Sequence, residues 1–280
     1  MILVTGATGN IGREVVARLS AEGAPLRVVT RDAKKVAALP PAIERVVGDL
    51  RDPATVEQAV RGVRRLFLVS PMDDVEGRAE AVLVEAARRA GVTHVVKLSS
   101  LGTGNSGIAG RHRDSEQRLR DSGMAWTFVR PGMFMSNALQ WAGNVKAGTP
   151  IFTPTASGRM APIDPRDIAE VAALALTGDG HEGQAYALTG EELLSAHDQV
   201  AILSRVLGRP LQCVDVPVEG ALANVRKAGM PSWLVEGLGE LWTAVRSGKG
   251  EVTTPEVARL TGHAPGTFEA WARRHRDAFA

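Results

Sequence analysis

Three glycines near the amino terminus have the spacing of a diphosphate-binding turn. They stand at Gly6-x-x-Gly9-x-x-Gly12, after a short apolar run and before an amphipathic pattern of helical period. Gly6 allows a tight turn, Gly9 lets the backbone approach phosphates, and Gly12 lets the helix pack close to the strand. The free N–H groups and positive dipole end of that helix then face the anion. The pattern predicts a dinucleotide-binding turn rather than a merely structural one. The contacts that we expect from it are Gly6, Thr8, Gly9, Asn10 and Ile11.

The residues after the second predicted strand bear on which dinucleotide is bound. An acidic residue there would bind the ribose hydroxyls of NAD. Here residues 26–30 are followed by Arg31, with Lys35 close behind. Arg31 can fork onto a 2′-phosphate and Lys35 can add a second positive charge. The alternative is a solvated helix start, but the charges favour NADP(H) over NAD(H).

Further residues follow the strands at what should be the same edge of a sheet. We expect Asp49 and Leu50 to meet the adenine, Ser70 and Pro71 to flank the ribose and diphosphate, and Ser99 to lie near the nicotinamide. Each could equally be turn chemistry, because Asp, Ser and Pro favour turns.

Two further sets of residues are candidates for the cofactor site. Lys97 interrupts an apolar strand, so it lies at the wet end of that strand or reaches toward the cofactor. A run after the sixth strand could form an apolar wall beside the nicotinamide, or be ordinary core at helical spacing. That run consists of Pro131, Gly132, Met133 and Phe134.

Taken in order, these motifs resemble the short-chain dehydrogenase/reductase superfamily, and within it the atypical branch called NmrA-like. The resemblance is carried by Arg31 and by residues 4–12, 48–50, 95–100, 127–137 and 163–169. It covers the first two-thirds of the chain, whereas residues 190–280 match in general character. It implies an NADPH-binding sheet domain and a smaller, variable substrate lobe. Family members include reductases of quinones, dyes and aromatic compounds, and dinucleotide sensors that regulate transcription through protein partners.

The chain departs from the wider superfamily at its usual catalytic pair, Tyr-x-x-x-Lys. Its one tyrosine is Tyr186, and the residue four places later is Gly190. On the helix that should carry the pair, His112 and Glu116 take the two places. Histidine titrates near neutrality, so His112 is our candidate general acid. The alternative is a surface residue on a highly charged helix.

Alternating strand and helix signals indicate the architecture that must position these groups. Strands are predicted at residues 2–5, 26–30, 45–47, 65–69, 93–99 and 125–130, with helices between them. Such units predict an α/β fold, a doubly wound parallel sheet of the Rossmann type. We assign residues 1–150 to the NADP-binding domain, with 159–190 returning to it, and 191–280 to a smaller, mostly helical substrate or lid lobe. Residues 132–147 are predicted as helix and 148–157 as loop.

Composition limits the remaining functions. The 280 residues include 44% hydrophobic and 23% charged side chains, with a net charge of +2, which gives no reason to expect a nucleic-acid or membrane partner. One cysteine excludes internal disulfides, and the six histidines lack metal-ligand spacing. The first strand begins at residue 2, so we expect no cleavable signal peptide and a cytoplasmic protein.

Two functions are therefore open. The leading one is NADPH-dependent hydride transfer to a small conjugated aromatic or quinone-like acceptor, because such an acceptor needs little help from a general acid. The other is a non-catalytic NADP(H)-binding redox sensor that acts through a protein partner. We also allow for a homodimer.

Overall fold

A computed structural model describes residues 1–70, 74, 76–102 and 107–280 of the chain. Its strands are β1 (Ile2–Val4), β2 (Leu26–Thr30), β3 (Glu44–Val47), β4 (Arg65–Leu68), β5 (His94–Leu98), β6 (Ala125–Pro131), β7 (Ile151–Thr153), β8 (Arg159–Met160), β9 (Gln184–Leu188), β10 (Leu194–Ser195) and β11 (Cys213–Asp215). Seven of them form one sheet in the order β3-β2-β1-β4-β5-β6-β9. The neighbours from β3 to β6 pair in parallel. The predicted doubly wound α/β fold is thereby confirmed.

Helices cover the connections between the strands. They are α1 (Asn10–Ala21), α2 (Pro53–Val60), α3 (Arg78–Arg89), α4 (Gly107–Asp121), α5 (Ala142–Ala147), α6 (Pro165–Thr177), α7 (Ala196–Leu207), α8 (Val218–Lys227), α9 (Ser232–Arg246), α10 (Glu256–Thr261), α11 (Phe268–Arg274) and α12 (Arg276–Phe279). In the part of the chain that the structure describes, no helix is long and apolar enough to cross a membrane.

The chain divides into two compact units that interleave along the sequence. The first consists of residues 1–100, 111–130 and 168–186, and the second of residues 101–110, 131–167 and 187–280. Residues 131–150 and 159–167 thus lie in the second unit, outside the unit that carries the glycine turn. The roles that we predict for the two units, cofactor binding and substrate binding, stay predictions.

The first unit is built on the buried strands of the sheet. All three residues of β1 are buried, as are Val95 and Val96 of β5. Apolar side chains of α2 and α3, among them Val56, Leu83 and Ala87, join the same core cluster as residues of the sheet. A parallel sheet covered by helices on its faces requires such continuous apolar strands.

The second unit has its own core, in which the indole of Trp271 is fully buried. Its carboxyl-terminal segment is tied down by buried or half-buried carboxylates. Arg274 binds Asp164, the backbone N–H of Gly266 donates to Asp167 (2.8 Å), and the N–H of Phe268 donates to Glu192 (2.8 Å).

The predicted helix over 132–147 and loop over 148–157 are both partly wrong. Phe134 is extended and pairs with Ile163, which donates to the carbonyl of Met133 (2.8 Å) and accepts from the N–H of Met135 (2.9 Å). A 3₁₀ helix at Met135–Trp141 then leads into the shorter α5. Within the expected loop, β7 pairs in parallel with β11. Both departures depend on partners distant in sequence.

Candidate functional site

The turn between β1 and α1 is packed too closely for side chains at its three glycines. Gly6 has a φ of +61°, a conformation that side chains disfavour. A Cβ on Gly12 would lie 2.1 Å from the carbonyl oxygen of Gly6, and one on Gly9 would lie 3.2 Å from it. A residue with a side chain therefore cannot replace these glycines unless the backbone of the turn moves. Such a glycine turn is typical of a diphosphate-binding site.

The amino-terminal end of α1 is arranged to face an anion. Gly9 is its N-cap and, among the described residues, no side chain caps this end and its first turn carries no acidic residue. Thr8 and Gly9 are exposed, Asn10 is half-buried, and Ile11 is buried in the core. The helix dipole and backbone N–H groups are thus directed toward whatever occupies the turn.

Thr5 is a residue of this turn that the sequence analysis missed. Its hydroxyl accepts a hydrogen bond from the N–H of Val69 (2.8 Å) and donates to the carbonyl of Phe67 (3.1 Å). It therefore joins the carboxyl ends of β1 and β4, where the strand order reverses and dinucleotides bind in sheets of this kind. Its position immediately before Gly6 is the sequence feature that could have identified it.

Arg31 and Lys35 are both exposed beside the end of β2. The acidic residue next to them, Asp32, accepts the backbone N–H of Lys34 (2.9 Å) and so caps the short 3₁₀ helix at Ala33–Val36. Its carboxylate therefore accepts a local hydrogen bond beside the two exposed basic side chains, Arg31 and Lys35.

Asp49 and Leu50 follow β3 at the same edge of the sheet. The backbone N–H of Arg51 donates to Asp49 (2.9 Å). That hydrogen bond, with the charges of Arg51 and Arg31, lowers the pKa of Asp49. Leu50 packs against the core of the first unit. The charge of Arg31 thus reaches the carboxylate at the end of the neighbouring strand.

Lys97 lies in a buried polar network rather than at an open end of β5. It is fully buried, and its Nζ donates to Ser70 Oγ (2.7 Å) and lies 3.4 Å from Glu80 Oε2. Glu80 also binds the hydroxyls of Ser70 and Ser115 and the guanidinium of Arg118. Burial opposes ionisation of Glu80, but Lys97 and these donors together lower its pKa. Lys97 therefore reaches the carboxyl end of β4 through its hydrogen bond to Ser70.

A second network joins β5, β6 and α4. Ser99 Oγ lies 2.6 Å from Glu116 Oε1, and Arg130 binds both oxygens of Glu116 at 2.8 and 2.5 Å. Arg120 lies 3.3 Å from the same carboxylate. Two arginines thus neutralise Glu116, the residue that stands where the resemblance leads us to expect a lysine.

His112 lies one turn before Glu116 on α4 and is half-buried. Burial is the main cause that lowers its pKa to about 4, and the nearby charge of Lys97 adds to the effect. At neutral pH the imidazole is therefore uncharged, and what it can offer a substrate is a neutral N–H group.

Some of the predicted cofactor contacts lie in the second unit or outside the described residues. Pro71 falls outside the described residues. Pro131–Phe134 belong to the second unit, where Gly132 donates to the carbonyl of Leu188 (2.9 Å). Tyr186 is buried in β9 with its hydroxyl 2.8 Å from His181 Nδ1.

Across the described segments, no group of three or more His, Cys, Asp and Glu side chains could hold a metal ion.

The chain is similar in sequence and fold to known proteins. A family model described as NAD(P)H-binding matches residues 6–179. The (4-alkanoyl-5-oxo-2,5-dihydrofuran-3-yl)methyl phosphate reductase of Streptomyces griseus is 42% identical over 100% of this chain and 99% of its own. The NAD(P)H azoreductase of Xenophilus azovorans is 37% identical, over 100% and 99%. The structure of an NADPH-dependent quinone oxidoreductase from Escherichia coli complexed with NADPH superposes with a TM-score of 0.85, at 26% identity, over 98% of this chain and 99% of that one.

Proposed function

The chain belongs to the NAD(P)H-binding family, and we propose that it reduces small, electron-poor conjugated acceptors with NADPH. The resemblance to NmrA-like, atypical short-chain dehydrogenase/reductases is confirmed, and the chain is an NAD(P)H-dependent oxidoreductase. The choice of NADPH and the class of acceptor are our proposals.

The arrangement of α4 carries the proposal for the acceptor. The place of the usual tyrosine holds His112, an uncharged imidazole at neutral pH, and the place of the lysine holds Glu116. Reduction of a simple ketone forms an alkoxide, which needs a general acid that contributes about 10²–10⁴ in rate. Reduction of a quinone, an azo bond or a conjugated enone forms a delocalised anion that water can protonate. The site therefore favours the second group of acceptors.

The names of the relatives support the same class. An azo bond, a quinone and a 4-alkanoyl-5-oxo-2,5-dihydrofuran each hold a double bond conjugated with an electron-withdrawing or aromatic group. These acceptors differ in shape, so what unites them is the stability of the anion that reduction produces.

The residues of the first unit would share the binding of the cofactor. The glycine turn and the start of α1 would hold the diphosphate, Arg31 and Lys35 the 2′-phosphate, and Asp49 the adenosine end. Bound NADPH supplies the hydride. Ser70 and Ser99 would lie along the ribose and nicotinamide, with Lys97 behind Ser70. Cofactor contacts from Pro71 and Pro131–Phe134, and a homodimer, stay predictions.

Steady-state consumption of NADPH across a panel of acceptors tests the proposal. We expect turnover near ~1 s⁻¹ or faster with quinones, azo dyes or enones, and much slower turnover with simple ketones of similar size. If His112 donates its N–H, His112→Ala lowers turnover of the enone more than that of the quinone, because the quinone anion is more stable.

Two results would contradict the proposal. Rapid reduction of simple ketones would mean that an efficient acid is present. Tight NADPH binding without turnover of any acceptor would favour the sensor that acts through a protein partner.

A further inference from the structure

We propose that Ser99 accepts a hydrogen bond from the carboxamide N–H of the nicotinamide, and that Glu116 is the positioning residue that makes Ser99 an acceptor. The inference rests on the proposed cofactor site and assigns a role to the carboxylate that replaces the usual lysine.

The hydroxyl proton of Ser99 is donated to the carboxylate of Glu116. Ser99 Oγ lies 2.6 Å from Glu116 Oε1, and both residues are almost completely buried. Burial disfavours the charged form of Glu116, but hydrogen bonds from Arg130 and Ser99 and the charges of Arg130 and Arg120 outweigh it and lower the pKa. An ionised carboxylate can only accept, so Ser99 is the donor. What remains of its hydroxyl is two lone pairs.

Two arginines hold the Glu116 carboxylate in place as the acceptor of the Ser99 hydroxyl. Arg130 grips it through Nε (2.8 Å) and Nη2 (2.5 Å), and Arg120 lies 3.3 Å away. Fork-shaped pairs of this kind fix the carboxylate plane as well as its charge. Ser99 therefore presents the same acceptor whatever binds beside it.

The position of Ser99 indicates which donor it meets. It follows β5, in the half of the sheet beyond the β1–β4 switch point, whereas Arg31 follows β2 in the other half. A dinucleotide bound across the switch point with its 2′-phosphate near Arg31 places its nicotinamide over the half that holds Ser99. The nicotinamide ring carries one N–H donor group, the carboxamide. The same geometry excludes Ser99 as a donor to the anion formed on the acceptor.

Calorimetric binding of two cofactors tests the assignment: NADPH, and its 3-acetylpyridine analogue, in which a methyl group replaces the amide NH₂. Wild-type protein should bind NADPH about threefold to tenfold more tightly than the analogue, the size of one net hydrogen bond. In Ser99→Ala the ratio should fall to near one, and Ser99→Thr, which keeps the hydroxyl, should restore it.

Glu116→Gln tests the positioning role, because a glutamine can donate to Ser99 and turn the serine proton outward. The NADPH preference should then fall. Ser115→Ala is the matched control, since Ser115 also binds a buried carboxylate, that of Glu80. It should leave the ratio unchanged.

Three results separate the inferences. Equal weakening of both cofactors by Ser99→Ala would place the serine against another group, such as a ribose hydroxyl, and overturn this assignment. A lower unfolding midpoint of Glu116→Gln with an unchanged ratio would overturn the positioning role. Failure of the wild-type protein to bind either cofactor would overturn the proposed function itself.

Discussion

At the scale of single residues, the charge beside β2 decides the proposed preference for NADPH. Arg31 and Lys35 are exposed there, and Asp32 is occupied as a cap. The sequence predicts the basic pair, but it leaves open whether Asp32 would compete with a phosphate. In the structure the Asp32 carboxylate accepts the backbone N–H of Lys34.

Replacing Arg31 with aspartate should reverse the charge that meets the 2′-phosphate. Loss of charge-assisted hydrogen bonds should raise the Kd for NADPH by about 10- to 100-fold, with a much smaller change for NADH. Fluorescence titration of both cofactors measures this. Lys34→Asp makes the same charge change nearby and should discriminate less. Equal losses for NADPH and NADH in Arg31→Asp would refute the role of Arg31.

At the scale of elements, Lys97 shows how a strand and a helix share a buried charge. Lys97 in β5 and Glu80 in α3 are both almost inaccessible to solvent. Burial lowers the pKa of Lys97, and the nearby Glu80 carboxylate opposes that shift. The pair therefore joins the two elements behind Ser70, whose hydroxyl both side chains bind.

Removing one member of this pair should be costly. Lys97→Met leaves Glu80 buried beside fewer donors and should lower the free energy of unfolding by about 3–5 kcal/mol. The double variant Lys97→Met/Glu80→Gln should recover a large part of the loss, because the fully buried carboxylate that lost Lys97 is then uncharged. Urea unfolding measures both.

Arg88→Met, in the exposed pair with Glu85, serves as the control and should change stability little, because solvent screens that pair. Equal stability of Lys97→Met and wild type would mean that the buried pair contributes nothing.

The elements that sequence predicted well are those whose patterns are local. The strands up to β6 and the helices between them follow from apolar runs, glycine ends and caps such as Asp52, which accepts from Ala54 and Thr55. Phe134 and β7 were misassigned because their backbone partners, Ile163 and Cys213–Asp215, are remote in the chain. Periodicity does not encode such partners.

At the scale of the whole molecule, two histidines link stability to pH. His94 is buried, with Nε2 bonded to Thr127 (2.9 Å) and, among the described residues, no partner for Nδ1. Burial is the main cause that lowers its pKa, and that of His112 lies at about 4. Both are neutral in the folded protein at pH values where the unfolded chain, with a histidine pKa of 6.5, binds protons.

The folded state should therefore lose stability as the pH falls from 6.5 toward about 4, because the unfolded state gains protons first. Each such histidine contributes a slope of at most about 1.4 kcal/mol per pH unit. Urea midpoints measured between neutral pH and pH ~5 should decline less steeply in His94→Gln than in wild type. Parallel profiles for the two proteins would show that His94 does not carry the effect.

The sequence by itself determined the α/β class, the glycine turn, the basic residues after β2 and the absence of Tyr-x-x-x-Lys, because each depends on neighbouring residues or on residue type. Tertiary structure decided the partners: Lys97 with Glu80 and Ser70, Ser99 with Glu116, and Glu116 with Arg130. These contacts join residues on different strands and helices. Only the packed fold brings these side chains within hydrogen-bonding distance, and it therefore decides which of them donates and which accepts.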